Sequence, residues 1–115
     1  GPHMQRYGWI IGLRPDRVED YKREHAAVWP DVLRMIKEVN IRNYSIFLRE
    51  FPDGSLYLFS YLEYTGDDFQ ADMAKMAADP VTQEWWKVCM PMQMPIANAK
   101  EGEWWSDMEE VFHCD

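Results

Sequence analysis

"IRNYSIFLREFPDGSLYLFSYLEY", residues 41–64, reads as two strands and the turn between them. Residues 41–50 and 55–64 are dominated by aromatic and aliphatic side chains, and Phe51-Pro52-Asp53-Gly54 separates them. Proline presets φ in such a turn and glycine accepts the positive φ that lets a hairpin close, so the two runs form an antiparallel pair. Strand side chains alternate, so Leu56, Leu58 and Leu62 project one way and Tyr57, Phe59 and Tyr61 the other. Neither side is polar enough to face water unaided, and the sheet built on this hairpin needs cover on both faces.

Working outward, residues 5–14 alternate Tyr7, Trp9, Ile11 and Leu13 with smaller or polar residues, apart from Ile10, as a strand does. Pro15-Asp16 then opens a helix. Val18, Tyr21, His25, Val28/Trp29, Val32 and Ile36 recur at three-and-four spacing along it, which places His25 on a buried face. Pro30 interrupts the pattern, predicting a kink or restart at residues 29–30, and Asn40 can end the helix. Beyond the hairpin, a second helical region starts near Asp67-Asp68 and stripes through Phe69, Met73 and Met76. It breaks at Asp79-Pro80 and restarts as "VTQEWWKVCM" before Pro91. An irregular stretch over 91–102 leads to "EWWSDMEEVFHC", residues 103–114, read as a final strand with Trp104, Met108 and Phe112 on one side and Trp105 and Val111 on the other.

The order strand, helix, strand, strand, helix, strand is that of a ferredoxin-like α+β domain, βαββαβ. Such a domain is a four-stranded antiparallel sheet with two helical regions on one face. The simplest cover for its second, aromatic face is another copy of the same sheet, so a homodimer is expected.

The 115 residues suit one domain. Gly1-Pro2-His3-Met4 reads as a cloning remnant, leaving residues 5–115 as the native domain. Twelve basic against 20 acidic residues give a formal charge of −8, and no basic cluster interleaves with aromatics, which disfavours nucleic-acid binding. No apolar run approaches the roughly 20 residues that span a bilayer. With no export signal in view, Cys89 and Cys114 are expected as free thiols in the cytoplasm.

No metal-ligand spacing, phosphate-binding glycine loop or nucleophile elbow is present, so no metal or cofactor is expected. What the chain has is aromatics, 15% of residues, some of them placed where they can line a pocket with His25. Tyr21 and Trp29 flank His25 by one helical turn, Tyr44 lies in the second strand, and Trp85 and Trp86 are adjacent, diverging by about 100° on a helix. Such a pocket suits a polyhydroxylated ring, with aromatic faces stacking on C–H patches and histidine moving a proton near neutral pH. The pattern alone leaves open whether His25 and the tryptophans are catalytic or packed core, and it gives His113 no role.

"EDYKREHAAVWPDV", "RNYSIFL", "TQEWWK" followed by methionine and proline, and "MEEVF" occur here in an order that resembles the L-rhamnose mutarotase family of small sugar epimerases. The resemblance runs over almost the whole native chain, and Tyr-x-x-x-His-x-x-x-Trp-Pro with the Trp-Trp pair is its most specific part. It implies a dimeric ferredoxin-like α+β barrel that interconverts the α and β anomers of a free 6-deoxy sugar, without a cofactor or metal. It also implies roles. His25 would be the acid–base residue, Tyr21 and Tyr44 would bind and polarise sugar hydroxyls, Trp85 and Trp86 would shape the pocket, and Trp29 would pack. Lys100-Glu101-Gly102-Glu103-Trp104 departs from the rhamnose pattern toward relatives associated with L-fucose, which bears on substrate identity more than on reaction type. The rival classes are a cofactor-independent monooxygenase or haem-handling protein on the same dimeric fold, and a sugar-binding module without turnover.

Overall fold

The computed structural model describes residues 4–115. The cloning remnant read at residues 1–4 therefore lies, apart from Met4, outside the described residues. The first strand, β1 (Gln5–Leu13), pairs antiparallel along its whole length with β3 (Leu56–Tyr64), which in turn pairs with β2 (Ile41–Glu50). The turn between β2 and β3 closes as expected, with Gly54 at φ 85°, its N–H donating to the Phe51 carbonyl at 2.9 Å, and the Phe51 N–H donating to Ser55.

Both helical regions are split in two. After a 3₁₀ turn at Pro15–Arg17 come α1 (Val18–His25) and α2 (Pro30–Glu38), so the interruption at Trp29-Pro30 is a full break rather than a kink. Proline lacks the N–H that would continue the first helix but is well placed in the first turn of the next. Asn40 follows α2 at φ 68°, the left-handed conformation that ends helices. The second region is α3 (Phe69–Ala78) and α4 (Pro80–Cys89). Asp68 and Asp79 cap them, their carboxylates accepting from Ala71 N at 3.0 Å and Thr82 N at 2.9 Å. Tyr64 fastens β3 to α3, accepting from the Asp68 N–H at 3.0 Å and donating to Asp72 at 2.5 Å.

The sheet has the ferredoxin-like order β2-β3-β1, and its fourth position, beside β1, is shared by two short strands. These are β4 (Gln93–Met94) at the C-terminal end of β1 and β5 (Ser106–Met108) along its middle. Two local expectations change here. The 91–102 stretch is not wholly irregular, because β4 lies within it, and the final strand spans three residues rather than 103–114. At one end β4 already takes Gly12 and Leu13 of β1, and at the other the chain leaves the sheet at Glu109 and Glu110, exposed acids of low strand propensity, three residues short of the start of β1. Val111 and Phe112 are left 84% and 80% exposed. Gly12 permits the close approach of β4, since a Cβ there would stand 2.8 Å from the Met94 carbonyl.

Register defines the two faces. Tyr7, Trp9, Ile11 and Leu13 lie opposite Leu62, Ser60, Leu58 and Leu56, and this face meets the helices. The core falls into two clusters, one around Ile11, Leu13, Tyr21, Leu58, Trp85 and Cys89, the other around Val39, Ile41, Leu62 and Tyr64. Burying each aliphatic side chain contributes roughly 1.5–3 kcal/mol. On the opposite face Ile10, Phe59 and Phe47 align in one row across three strands, and Phe47 is 64% exposed.

Candidate active site

Two elements aim the central histidine. His25 is the last residue of α1, and its ring folds back so that Nδ1 lies 2.9 Å from the Tyr21 carbonyl oxygen. A carbonyl only accepts, so in the neutral ring Nδ1 carries the proton and Nε2 is the basic nitrogen left for the cleft. The imidazole stacks on the Tyr21 ring, centroids 4.0 Å apart, and meets Trp85 in a T-shaped contact at 5.3 Å, while Trp29 makes a second T-shaped contact with Trp85 at 5.2 Å. Burial among these rings holds the His25 pKa below the ordinary 6.5, a pull opposed by the hydrogen bond to Tyr21 and by Glu24.

Tyr44 reaches the same place through a backbone irregularity. Between Arg42, opposite Glu63, and Ser45, opposite Tyr61, β2 carries one residue more than β3, a β-bulge with Asn43 at φ 51°. The bulge reverses the alternation. Ile41 and Ile46 share the helix-facing side although five residues apart, and Tyr44, next but one before Ile46, lines the cleft. The Glu63 carboxylate clamps the bulge from outside, accepting from Asn43 Nδ2 and from the Tyr61 hydroxyl, each at 2.7 Å. Those two bonds hold its pKa below the usual carboxylate value.

The result is a cavity of about 500 Å³ between sheet and helices. All five residues singled out in the sequence line it: Tyr21, His25, Tyr44, Trp85 and Trp86. Trp85 is 7% exposed and packs on His25, whereas Trp86 is only half-buried. Burial pushes the Tyr44 phenol up to about 12, with the Cys89 thiol adding to the effect, and raises Tyr21 further; the Cys89 thiol is itself pushed up to about 12. The phenols are therefore protonated hydrogen-bonding groups at neutral pH, and Cys89 is a buried, inert thiol. Cys89 and Cys114 are both free.

The sequence reading did not single out Gln93, Trp9 or Trp105 as site residues. Gln93 is 4% exposed, donates through Nε2 to the Tyr21 hydroxyl at 3.1 Å and accepts from Trp104 Nε1 at 2.8 Å. Trp9 donates through Nε1 to Asp107 at 2.6 Å, which ties β5 against β1 beside the cavity. The one signal for Gln93 was a lone amide between methionines in "PMQMP". Trp104 and Trp105 do not divide between two sides of a strand; both pack toward the main cluster and line the cavity. Among the described residues no three His, Cys, Asp or Glu side chains are grouped to hold a metal ion.

A ferredoxin-like sheet half-wrapped around an aromatic cavity, with one neutral histidine and two protonated phenols at its wall, defines a small-molecule site of acid–base type. The family model described as L-rhamnose mutarotase matches residues 6–114. This chain is 32% identical over 112 residues to the L-rhamnose mutarotase of Oceanobacillus iheyensis and 34% identical over 112 residues to that of Bacillus subtilis. In both cases the match covers 97% of this chain and the whole of the relative. The crystal structure of an L-rhamnose mutarotase from Formosa agariphila superposes with a TM-score of 0.72 at 20% identity, covering 96% of this chain and 99% of that one, and shares the fold. The chain belongs to the L-rhamnose mutarotase family.

Proposed function

We propose that residues 5–115 form a single mutarotase domain that interconverts the α and β anomers of a free 6-deoxy sugar, L-rhamnose first and L-fucose as the alternative. The observation that carries the reading is the pairing of His25 Nδ1 with the Tyr21 carbonyl, which leaves Nε2 basic and facing a cavity of sugar-sized volume. The family relatives named as L-rhamnose mutarotases support the same substrate.

With its pKa held down by burial, His25 starts as the neutral ring. Nε2 takes the proton of the anomeric hydroxyl, O1, and the imidazolium so formed gives a proton to the ring oxygen, O5, which is bonded to the same carbon. The C1–O5 bond breaks, leaving the open-chain aldehyde. A half-turn about C1–C2 presents the other face of the carbonyl, and closure runs the same steps in reverse, so protons balance without a second base. Tyr21 and Tyr44 hold sugar oxygens as neutral donors, and Trp85 and Trp86 bound the sugar's apolar patches. General acid–base assistance of this kind supplies about 10²–10⁴-fold, sufficient for a reaction that water already permits slowly.

The outer row of half-buried Ile10 and Phe59 and exposed Phe47 supports a homodimer in which two sheets cover each other's aromatic faces. The free thiols of Cys89 and Cys114 support a cytoplasmic location, and no helix of the described residues is long and apolar enough to cross a membrane.

Saturation transfer between anomeric protons of L-rhamnose, then L-fucose, tests the reading. Acceleration by the wild type and its loss in His25→Ala are expected. Tight sugar binding with the buffer exchange rate would instead mark a binding module, and a Soret band on haem addition or oxygen uptake with an aromatic substrate would mark the rival enzyme class.

A further inference from the structure

We propose that Gln93, oriented by Trp104, is a positioning residue that fixes the direction of the Tyr21 hydroxyl proton, so that this phenol is a donor to whatever oxygen occupies the cleft. The inference rests on the mutarotase reading, because that donor has a role only if a sugar oxygen lies beside it.

The argument is one of donor and acceptor identity. An indole nitrogen can only donate, so the Gln93 atom 2.8 Å from Trp104 Nε1 is the amide oxygen. The amide nitrogen is then at the other end, and it too can only donate. It stands 3.1 Å from the Tyr21 hydroxyl oxygen, which must accept. A phenol has one proton, and among the hydrogen bonds of the described residues none takes it from Tyr21. That proton is left for the cleft.

Both ends of the relay are held in place. Gln93 pairs with Leu13 in the sheet, and the Met92 carbonyl beside it accepts from Arg14 N at 2.8 Å. Trp104 follows a loop closed on itself, in which the Lys100 N–H donates to the Glu103 carboxylate and the Glu103 N–H to the Lys100 carbonyl, each at 3.0 Å. The segment 100–104 that departs from the rhamnose pattern thus supplies the indole that sets the polarity.

The test is a double-mutant cycle on Gln93→Glu and Tyr21→Phe. It reads L-rhamnose anomer exchange by saturation transfer and L-rhamnose affinity by tryptophan fluorescence, with thermal melts for each protein. A carboxylate accepts from Trp104 and from Tyr21 alike, turning the phenol proton away from the cleft. Gln93→Glu is expected to lower kcat/KM roughly ten- to a hundredfold in the parent. In the Tyr21→Phe background it should cost less than about twofold, since the group it acts through is gone. Equal losses in both backgrounds would overturn the proposal.

Acid supplies a second readout, because a protonated carboxyl regains the donor. The deficit of Gln93→Glu against the wild type at the same pH should narrow as pH falls, and a constant deficit counts against the relay. The groups facing this position are Arg14 and Lys87 on the solvent side and Tyr21, His25, Tyr44 and Cys89 on the cleft side. Of these His25 titrates nearest the window, and the new carboxylate raises its pKa in the variant, so the reference is the same ratio taken in the Tyr21→Phe background, where that shift persists and the relay is gone. Should Gln93→Glu not fold, Trp104→Phe keeps a ring in place while freeing the amide to turn. A severalfold loss confined to the Tyr21 background would then support the relay, and the same loss in Tyr21→Phe would overturn it. A wild type that binds L-rhamnose yet leaves exchange at its buffer value removes the mutarotase reading, and the affinity cycle then decides the relay alone: coupled losses support it and additive losses overturn it. A wild type with neither exchange nor binding overturns both.

Discussion

The two faces of the sheet carry similar numbers of aromatic rings and use them differently. On the inner side several polar tips have a defined partner: Trp9 donates to Asp107, Trp104 donates to Gln93, and Tyr21 accepts from Gln93. On the outer face Ile10, Phe59 and Phe47 offer no polar atoms at all, and Phe51 packs edge-on to Tyr57 at 4.8 Å. A surface that fixes hydrogen-bond directions can discriminate a polar ligand, because an isomer that leaves one buried group unpaired loses about 1–3 kcal/mol. A row with only rings and methylenes rewards area, which is what a second protein surface supplies.

Substitutions on each face should therefore fail in different assays, and the largest effect belongs to the inner face. His25→Ala is expected to remove about 10²–10⁴-fold of the anomer exchange rate while the thermal melt changes little, since the stack on Tyr21 is at a helix end. Retained exchange would take His25 out of the chemistry and erase the functional contrast between the faces.

Next comes the outer row. Phe47→Asp puts a charge where two sheets would meet, and light scattering should show the mass falling from that of two chains to one, with the folded monomer intact. A wild type that is already monomeric would show that this face meets something else.

Asn43→Val sharpens the contrast by attacking the point where one face becomes the other. A β-branched residue at φ 51° costs on the order of 1–3 kcal/mol and loses the clamp to Glu63. The bulge should relax, and Tyr44 should leave the cleft. About a tenfold loss of kcat/KM with the dimer unchanged is expected, whereas unaltered kinetics would show that the bulge does not place Tyr44.

The smallest effect is in pH. With the His25 pKa lowered by burial, exchange activity should hold to below pH 6.5 and then fall as the ring protonates, the midpoint lying under the ordinary histidine value. Stability follows the same sign. The folded state disfavours the charged ring, so stability present above about pH 6.5 declines as pH drops from the unfolded pKa to the folded one, and His25→Gln should flatten that decline. A midpoint above 6.5 would contradict the buried, neutral ring.

By itself the sequence determined most of the elements and picked out five side chains that line the cavity. The hairpin follows from Pro52 and Gly54, the split helices from Pro30 and Pro80, and the inward direction of Tyr21 and His25 from helical spacing, because each of these is a local property of backbone and period. Three matters waited for the tertiary structure. The bulge at Asn43 reverses the facing of Tyr44, and alternation read along β2 alone would place Ile41 and Tyr44 on opposite sides. The last strand shares its side of β1 with β4, which occupies Gly12 and Leu13, and no alternation within residues 103–114 records that neighbour. Gln93 meets Trp104 from 11 positions away and Tyr21 from 72. Such pairings depend on which strand ends lie side by side, and strand pairing is a contact between distant segments that no periodicity within either one records.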